Sequence, residues 1–264
     1  MDTTFAALLC SLLFLGAAAW RWRSGAAPTL TGPQWLVLLA VLAAAVALDS
    51  ALNATQGLQL GLGPMLATFA WLIVLVHLPL RQRMQLQPLD LPIWVGAGLL
   101  IPAGLLLPTD SVPHSTQLTL ALRLHILLSL LAWATLTIAT LQSGACALQS
   151  HRLRAHRQPI WPTPLLRMEA HLFRLIGIGW LLLVSAIATG FLFVDDFFAQ
   201  HLVHKVAFTV LAAVLFGTLL VGQALRGWRG DQALRWVWAA WVTLFVGYAG
   251  VKWILEDLLQ RSWS

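Results

Sequence analysis

The sequence predicts an all-α, polytopic membrane bundle of eight transmembrane helices, with the N-terminus and the C-terminus both outside. Three observations carry this. The 264-residue chain is 59% hydrophobic and 10% charged, against about 25% charged in soluble domains. Its apolar runs reach the roughly 17–25 residues that cross a hydrocarbon core. Arginines return after every second run: Arg21 and Arg23, then Arg81 and Arg83, then Arg152, Arg154, Arg157 and Arg167, then Arg226, Arg229 and Arg235. That alternation is the positive-inside bias repeated four times.

The spans fall at about 4–20, 34–52, 62–80, 91–108, 120–147, 171–194, 201–225 and 232–255. The runs are continuously apolar. They lack the period-two polarity of a membrane strand, so they read as helices, which satisfy their own backbone groups in lipid. The first run has only Asp2 ahead of it and Trp20-Arg21-Trp22-Arg23 behind it. A cleavable signal has the reverse charge order, so this helix is expected to be retained. An even number of spans then returns the C-terminus to the outside, where Glu256 and Asp257 lie. The fifth and seventh spans exceed the bilayer core and are expected to tilt or protrude. Residues 1–255 form a single membrane domain in this reading, and 256–264 a short outer tail. The inner loop 148–170 holds Pro159, Pro162 and Pro164, which prevent a continuous helix.

Tryptophans near span ends, including Trp20, Trp35, Trp161 and Trp228, suit interfacial anchoring. The deeper Trp71, Trp94, Trp133, Trp180, Trp238 and Trp241 are expected to pack. Gly177, Gly190, Gly217 and Gly222 are expected to permit close helix approach, and Gly227 and Gly230 to form a tight inner turn.

Several function classes are excluded. The net charge of +6 comes from residues flanking spans. They serve lipid headgroups, and no aromatic-interleaved patch suits nucleic acid. Cys10 and Cys146 lie at different depths, and no CxxC or CxxCH occurs, so neither a disulfide nor covalent haem attachment is expected. No HExxH, Walker loop, GxSxG or dinucleotide fingerprint is present, which favours a non-enzymatic role.

Ionisable groups at depth are the best guide to function in a membrane chain. His77, His114, His151, His156 and His171 fall near the inner surface or in loops and read as interfacial polar side chains. His125, His201 and His204 lie near the outer surface. His201 and His204 are three residues apart, so they share one helix face. Neutral imidazole is a ligand for haem iron or another transition metal. His125 with His204, or with His201, offers two imidazoles from different helices, and Arg123 and Lys205 offer charge partners for haem propionates. Hydrogen bonding to headgroups or water, a non-haem metal and a proton relay are the competing roles for the same histidines.

Leu124-His125-Ile126-Leu127-Leu128-Ser129, Arg174-Leu175-Ile176-Gly177, Thr189-Gly190, His204-Lys205, Gly227-Trp228-Arg229-Gly230 and Gly247-Tyr248 occur in this order. In them the chain resembles the YpjD-like inner-membrane proteins, a branch of the cytochrome c assembly family that also contains the CcsA and CcmC proteins. The resemblance covers most of the chain and is strongest over about 120–255. It implies an eight-helix protein of the bacterial inner membrane concerned with haem handling or cytochrome c assembly. In haem-handling relatives, external histidines ligate haem beside a tryptophan-rich segment ending in Trp-Asp, and His125 stands where the first of those histidines does. The turn Phe193-Val194-Asp195-Asp196-Phe197-Phe198 has no tryptophan-rich platform, and Val251-Lys252-Trp253-Ile254-Leu255 has no second external histidine.

The expected function is therefore haem handling or cytochrome c assembly, with haem at the outer face and assembly proteins as partners within the bilayer. The alternative is a non-enzymatic accessory or regulatory subunit of a membrane cation-transport system. A haem absorption band separates the first from the second, which predicts copurification with a transporter and no cofactor.

Overall fold

The computed structural model describes residues 3–24, 32–52, 62–106, 120–193 and 200–247. Among them, eight α-helices stand at the eight expected positions. They are α1 (Thr3–Arg23), α2 (Gly32–Leu52), α3 (Leu62–Arg83), α4 (Asp90–Leu106), α5 (Leu120–Arg154), α6 (Leu165–Phe193), α7 (Gln200–Arg226) and α8 (Gly230–Phe245). Six of these, α1 and α3 to α7, are long and apolar enough to cross a membrane. The expectation of eight is not met among the described residues. In α2 the apolar stretch is the shorter Gln34–Asp49. In α8 the described helix has 16 residues and carries Asp231 and Arg235 in its first turns. Residues 248–255 of the expected 232–255 span lie outside the described residues, as does the 256–264 tail.

The longest helices run further than expected. The 35 residues of α5 extend roughly 52 Å at 1.5 Å per residue, well beyond a ~30 Å hydrocarbon core. The inner connection shrinks accordingly, from 148–170 to 155–164. His156 ends α5 with φ +53°, and the Arg157 N–H donates to the Arg152 carbonyl at 3.0 Å. That six-residue return is a Schellman closure. Gln85, with φ +51°, ends α3 in the same way through Leu86 N–H and the Arg81 carbonyl at 2.9 Å. Pro164 immediately precedes α6, where a missing N–H costs nothing. Its carbonyl accepts the Met168 N–H at 3.1 Å.

The chain divides into two compact units, Met1–Gln117 with Ile160–Thr163, and Leu118–Pro159 with Pro164–Ser264. In the first, α1 packs on α2 and α4, and α3 packs on α2 and α4, so the four helices close a ring. Polar side chains tie the ring across its seams. Ser11 Oγ donates to the Gly98 carbonyl at 2.6 Å, and Trp71 Nε1–H to the Val41 carbonyl at 3.1 Å. The α3–α4 seam is tightest at Gly104, where a Cβ would meet the Gly63 carbonyl oxygen at 2.5 Å.

In the second unit, α5 packs on α6 and α8, and α7 packs on α6 and α8, which closes another four-helix ring with α5 and α7 at opposite corners. Trp180 Nε1–H donates to the Ala213 carbonyl at 2.9 Å, linking α6 to α7. Trp241 Nε1–H donates to Thr137 Oγ1 at 3.0 Å, linking α8 to α5. Trp71, Trp94, Trp133, Trp180 and Trp241 pack as expected, whereas Trp238 is exposed, and three of the packed ones also supply the interhelical hydrogen bonds that lipid cannot. Cys10 and Cys146 are buried free thiols.

The turn between α7 and α8 is the expected tight reversal. Gly227 and Gly230 have φ +65° and +59°. Trp228 is more than an interfacial anchor there: its N–H donates to the Gly222 carbonyl at 3.3 Å, and its ring covers Gly222 and lies 5.4 Å from Trp236. Of the four glycines expected at close approaches, Gly217 meets Trp180 and Gly222 meets Trp228, but Gly177 faces open space. A Cβ at Gly227 touches nothing, so only its backbone conformation penalises a side chain. Gly227→Ala is expected to cost about 1–2 kcal/mol, read as a lower midpoint in detergent unfolding.

Candidate functional site

His125 sits in the second turn of α5, half-buried against the end of α6. Its Nδ1 lies 2.9 Å from the Ala186 carbonyl oxygen and 3.4 Å from Thr189 Oγ1. A carbonyl only accepts, so Nδ1 carries the proton and donates. In the neutral ring the other nitrogen, Nε2, then keeps its lone pair. Thr189 is itself anchored, its hydroxyl lying 3.0 Å from the Ser185 carbonyl oxygen and 2.9 Å from that of Ala186. The ring is thus fixed in tautomer and plane by the neighbouring helix, the arrangement that prepares a histidine as a metal ligand.

The other expected site residues stand differently. Arg123 is exposed, and it precedes His125 by two residues, roughly 200° around the helix, so the two do not share a face. His201, His204 and Lys205 form the first turns of α7, but their side chains lie outside the described residues. Asp195 and Asp196 also lie outside them. Asp49 is exposed near the end of α2. Among the described residues, no group of three or more His, Cys, Asp or Glu is placed to hold a metal ion.

A second polar site lies in the first unit, at the arginine-bearing ends of α1 and α3 and the start of α4. Asp90 opens α4 and is fully buried. Arg81 of α3 grips it through two donors on one edge of the guanidinium: Nε donates to Oδ1 at 2.6 Å and Nη2 to Oδ2 at 2.7 Å. Arg21 of α1 approaches Oδ2 at 3.4 Å, and His77 Nε2 lies 3.0 Å from Oδ1. The Arg81 guanidinium also sits 5.9 Å from the ring centre of the buried Trp94. Three helices are pinned by one carboxylate.

This overturns the expected role of His77, which is fully buried and bound to Asp90 instead of lying at the interface. His171 is corrected as well. It was expected in or beside the inner loop, but α6 begins at Leu165, so it is 7% exposed on a formed helix. One signal in the sequence pointed to the cluster. His77 and Arg81 are four apart, Asp90 and Trp94 are four apart, and nine residues separate Arg81 from Asp90 across a Pro-containing turn. Helical spacing puts each pair on one face, and the short connection makes the helices antiparallel neighbours.

The profile of the family described as Cytochrome C assembly protein matches residues 27–259 of the chain. A relative from Azospirillum brasilense, described as an uncharacterized 28.8 kDa protein in a nifR3-like 5' region, is 31% identical over 188 residues, 68% of each chain. The inner membrane protein YpjD of Escherichia coli K12 is 28% identical over 158 residues, covering 58% of this chain and 59% of YpjD. The match thus spans less than two-thirds of YpjD's own length. No solved structure matches significantly.

Proposed function

Because the chain belongs to the cytochrome c assembly protein family, we propose that it handles haem at the outer face of the membrane, with His125 Nε2 as an axial donor. The chain is a multi-pass protein of the bacterial inner membrane. The observation that carries the proposal is the Nδ1 hydrogen bond to the Ala186 carbonyl, which leaves Nε2 as the ligating atom. A haem bound there supplies an iron that accepts neutral imidazole. His204 on α7 is the second donor in this reading, with His201 one turn nearer water. Lys205 pairs with a propionate in this reading, whereas Arg123, on a different face of α5 from His125, stands outside the site.

The test is the absorption spectrum of the protein purified after expression with ample haem precursor. A Soret band is expected in the wild type. Losing His125 to Ala is expected to reduce haem per protein by more than the roughly 10–100-fold typical of losing only an orienting partner. His201→Ala is expected to lose less than His125→Ala. A colourless wild type, or a band indifferent to His125→Ala, overturns the reading.

We also read eight spans with both chain ends outside, supported by arginines clustered at alternate connections. A cysteine added after Ser264 is then expected to react with an impermeant thiol reagent on spheroplasts. Reaction only after the membrane is opened reverses the orientation.

A further inference from the structure

Two polar atoms in the first unit have no partner among the described residues although both are shut off from solvent: His77 Nδ1 and Trp94 Nε1. Both residues are fully buried. They stand at one depth in the α3–α4 seam. In α3, His77 lies one turn deeper than Arg81, and in antiparallel α4, Trp94 lies one turn deeper than Asp90. The contacts cross between the pairs, His77 to Asp90 and Arg81 over Trp94, so the four side chains form one compact cluster.

The chemistry of the two atoms is opposite. Carboxylate Oδ1 only accepts, so His77 Nε2 carries a proton, and in the neutral ring Nδ1 then bears a lone pair. The indole Nε1–H only donates. A metal ion would suit the lone pair but not the indole N–H. An anion would suit the indole N–H but meet the lone pair. Asp90 needs no further cation, since Arg81, Arg21 and His77 already reach its two oxygens. A neutral group that donates on one side and accepts on the other satisfies both atoms, and enclosure limits it to a very small one. Buried waters occupy such polar sites.

We propose that the seam between α3 and α4 is a binding site for a single water, which donates to His77 Nδ1 and accepts from Trp94 Nε1–H. The water completes an unbroken polar chain, Arg81–Asp90–His77–water–Trp94, between α3 and α4. It makes Trp94 part of the ionic cluster as a hydrogen-bond donor as well as a ring.

The test is nitrogen NMR of the full chain in lipid nanodiscs, with ¹⁵N-labelled histidine and the His77 ring signals identified by their loss in His77→Gln. A protonated Nε2 is expected, together with an Nδ1 signal displaced from the bare imine position and a cross-peak to the water resonance. Trp94→Phe removes the indole donor, and the Nδ1 signal is then expected to move toward the bare imine position. A protonated Nδ1, a bare imine signal in the wild type, a cross-peak to lipid instead of water, or an Nδ1 signal indifferent to Trp94→Phe overturns the site. The wild-type spectrum decides the matter even if Trp94→Phe fails to fold.

Discussion

Replacing Asp90 by Asn is expected to lower the stability of the protein by about 3–5 kcal/mol, the loss typical of breaking a buried ion pair by removing one partner. The shape of the side chain is kept, but its charge is gone. Arg81 then stays buried without the carboxylate that its Nε and Nη2 engage. The new amide nitrogen would also point a donor at donors. Denaturant unfolding in detergent measures the effect. Arg81→Lys is expected to fall between wild type and Asp90→Asn, because an ammonium cannot reproduce the two-pronged grip. The paired change Asp90→Leu with Arg81→Met is expected to recover most of the loss, since neither charge then remains buried alone. Asp231→Asn is the contrast. Its partner Arg154 lies at 2.8 Å, but the two side chains are 63% and 64% exposed. Arg154 holds the Asp231 carboxyl below its ordinary range by that hydrogen bond, yet solvent screens the pair, and no measurable change in the unfolding midpoint is expected. A loss at Asp90 no larger than at Asp231 would show that the cluster does not hold the first unit together.

The second large effect is expected at Gly104. An added Cβ would lie 2.5 Å from the Gly63 carbonyl oxygen and 3.0 Å from the Ala67 nitrogen. Both are backbone atoms of α3, so no side-chain rotation relieves the clash and the two helices must separate. Gly104→Ala is expected to cost at least the roughly 1–3 kcal/mol of an overpacked core, and Gly104→Val more. Gly177→Ala is expected to behave oppositely. Nothing lies within 4 Å of that position, so only helix propensity acts there, which favours Ala by about 0.8–1 kcal/mol. The unfolding midpoints of the two Ala variants should therefore move in opposite directions. Equal shifts would mean that the α3–α4 seam is looser than its backbone contacts indicate.

The positions of the helices were legible because the rules behind them are one-dimensional. Apolar length marks a span, and Arg21, Arg81, Arg154 and Arg226 mark its end whatever the helix packs against. Lateral contacts are not written that way. Gly177 and Gly104 look alike in sequence, and only the facing helix separates an open glycine from a crowded one. His77 was misjudged for a related reason. Its distance from Arg81 gave its depth correctly, but depth does not say whether a ring faces headgroups or a carboxylate on the next helix. Asp90 also looks like an ordinary first-turn acid at a helix start, a role that needs no partner. At His125 the helix and the end of the bundle were legible, whereas its hydrogen-bond partner is a main-chain carbonyl, and every residue has one.

The clustered charges near the start of α4 bear on how the chain enters lipid. A lone aspartate at the centre of an inserting helix costs about 2.5–3.5 kcal/mol on insertion scales. Asp90 lies near the end of its helix and follows Arg81 by nine residues across a short turn. Its counter-charge has therefore already left the ribosome when the carboxylate emerges. The α3–α4 hairpin can enter the translocon as a neutral pair of charges, with Arg21 synthesised earlier still. The order of synthesis, and not only the finished fold, keeps this carboxylate from meeting the bilayer alone.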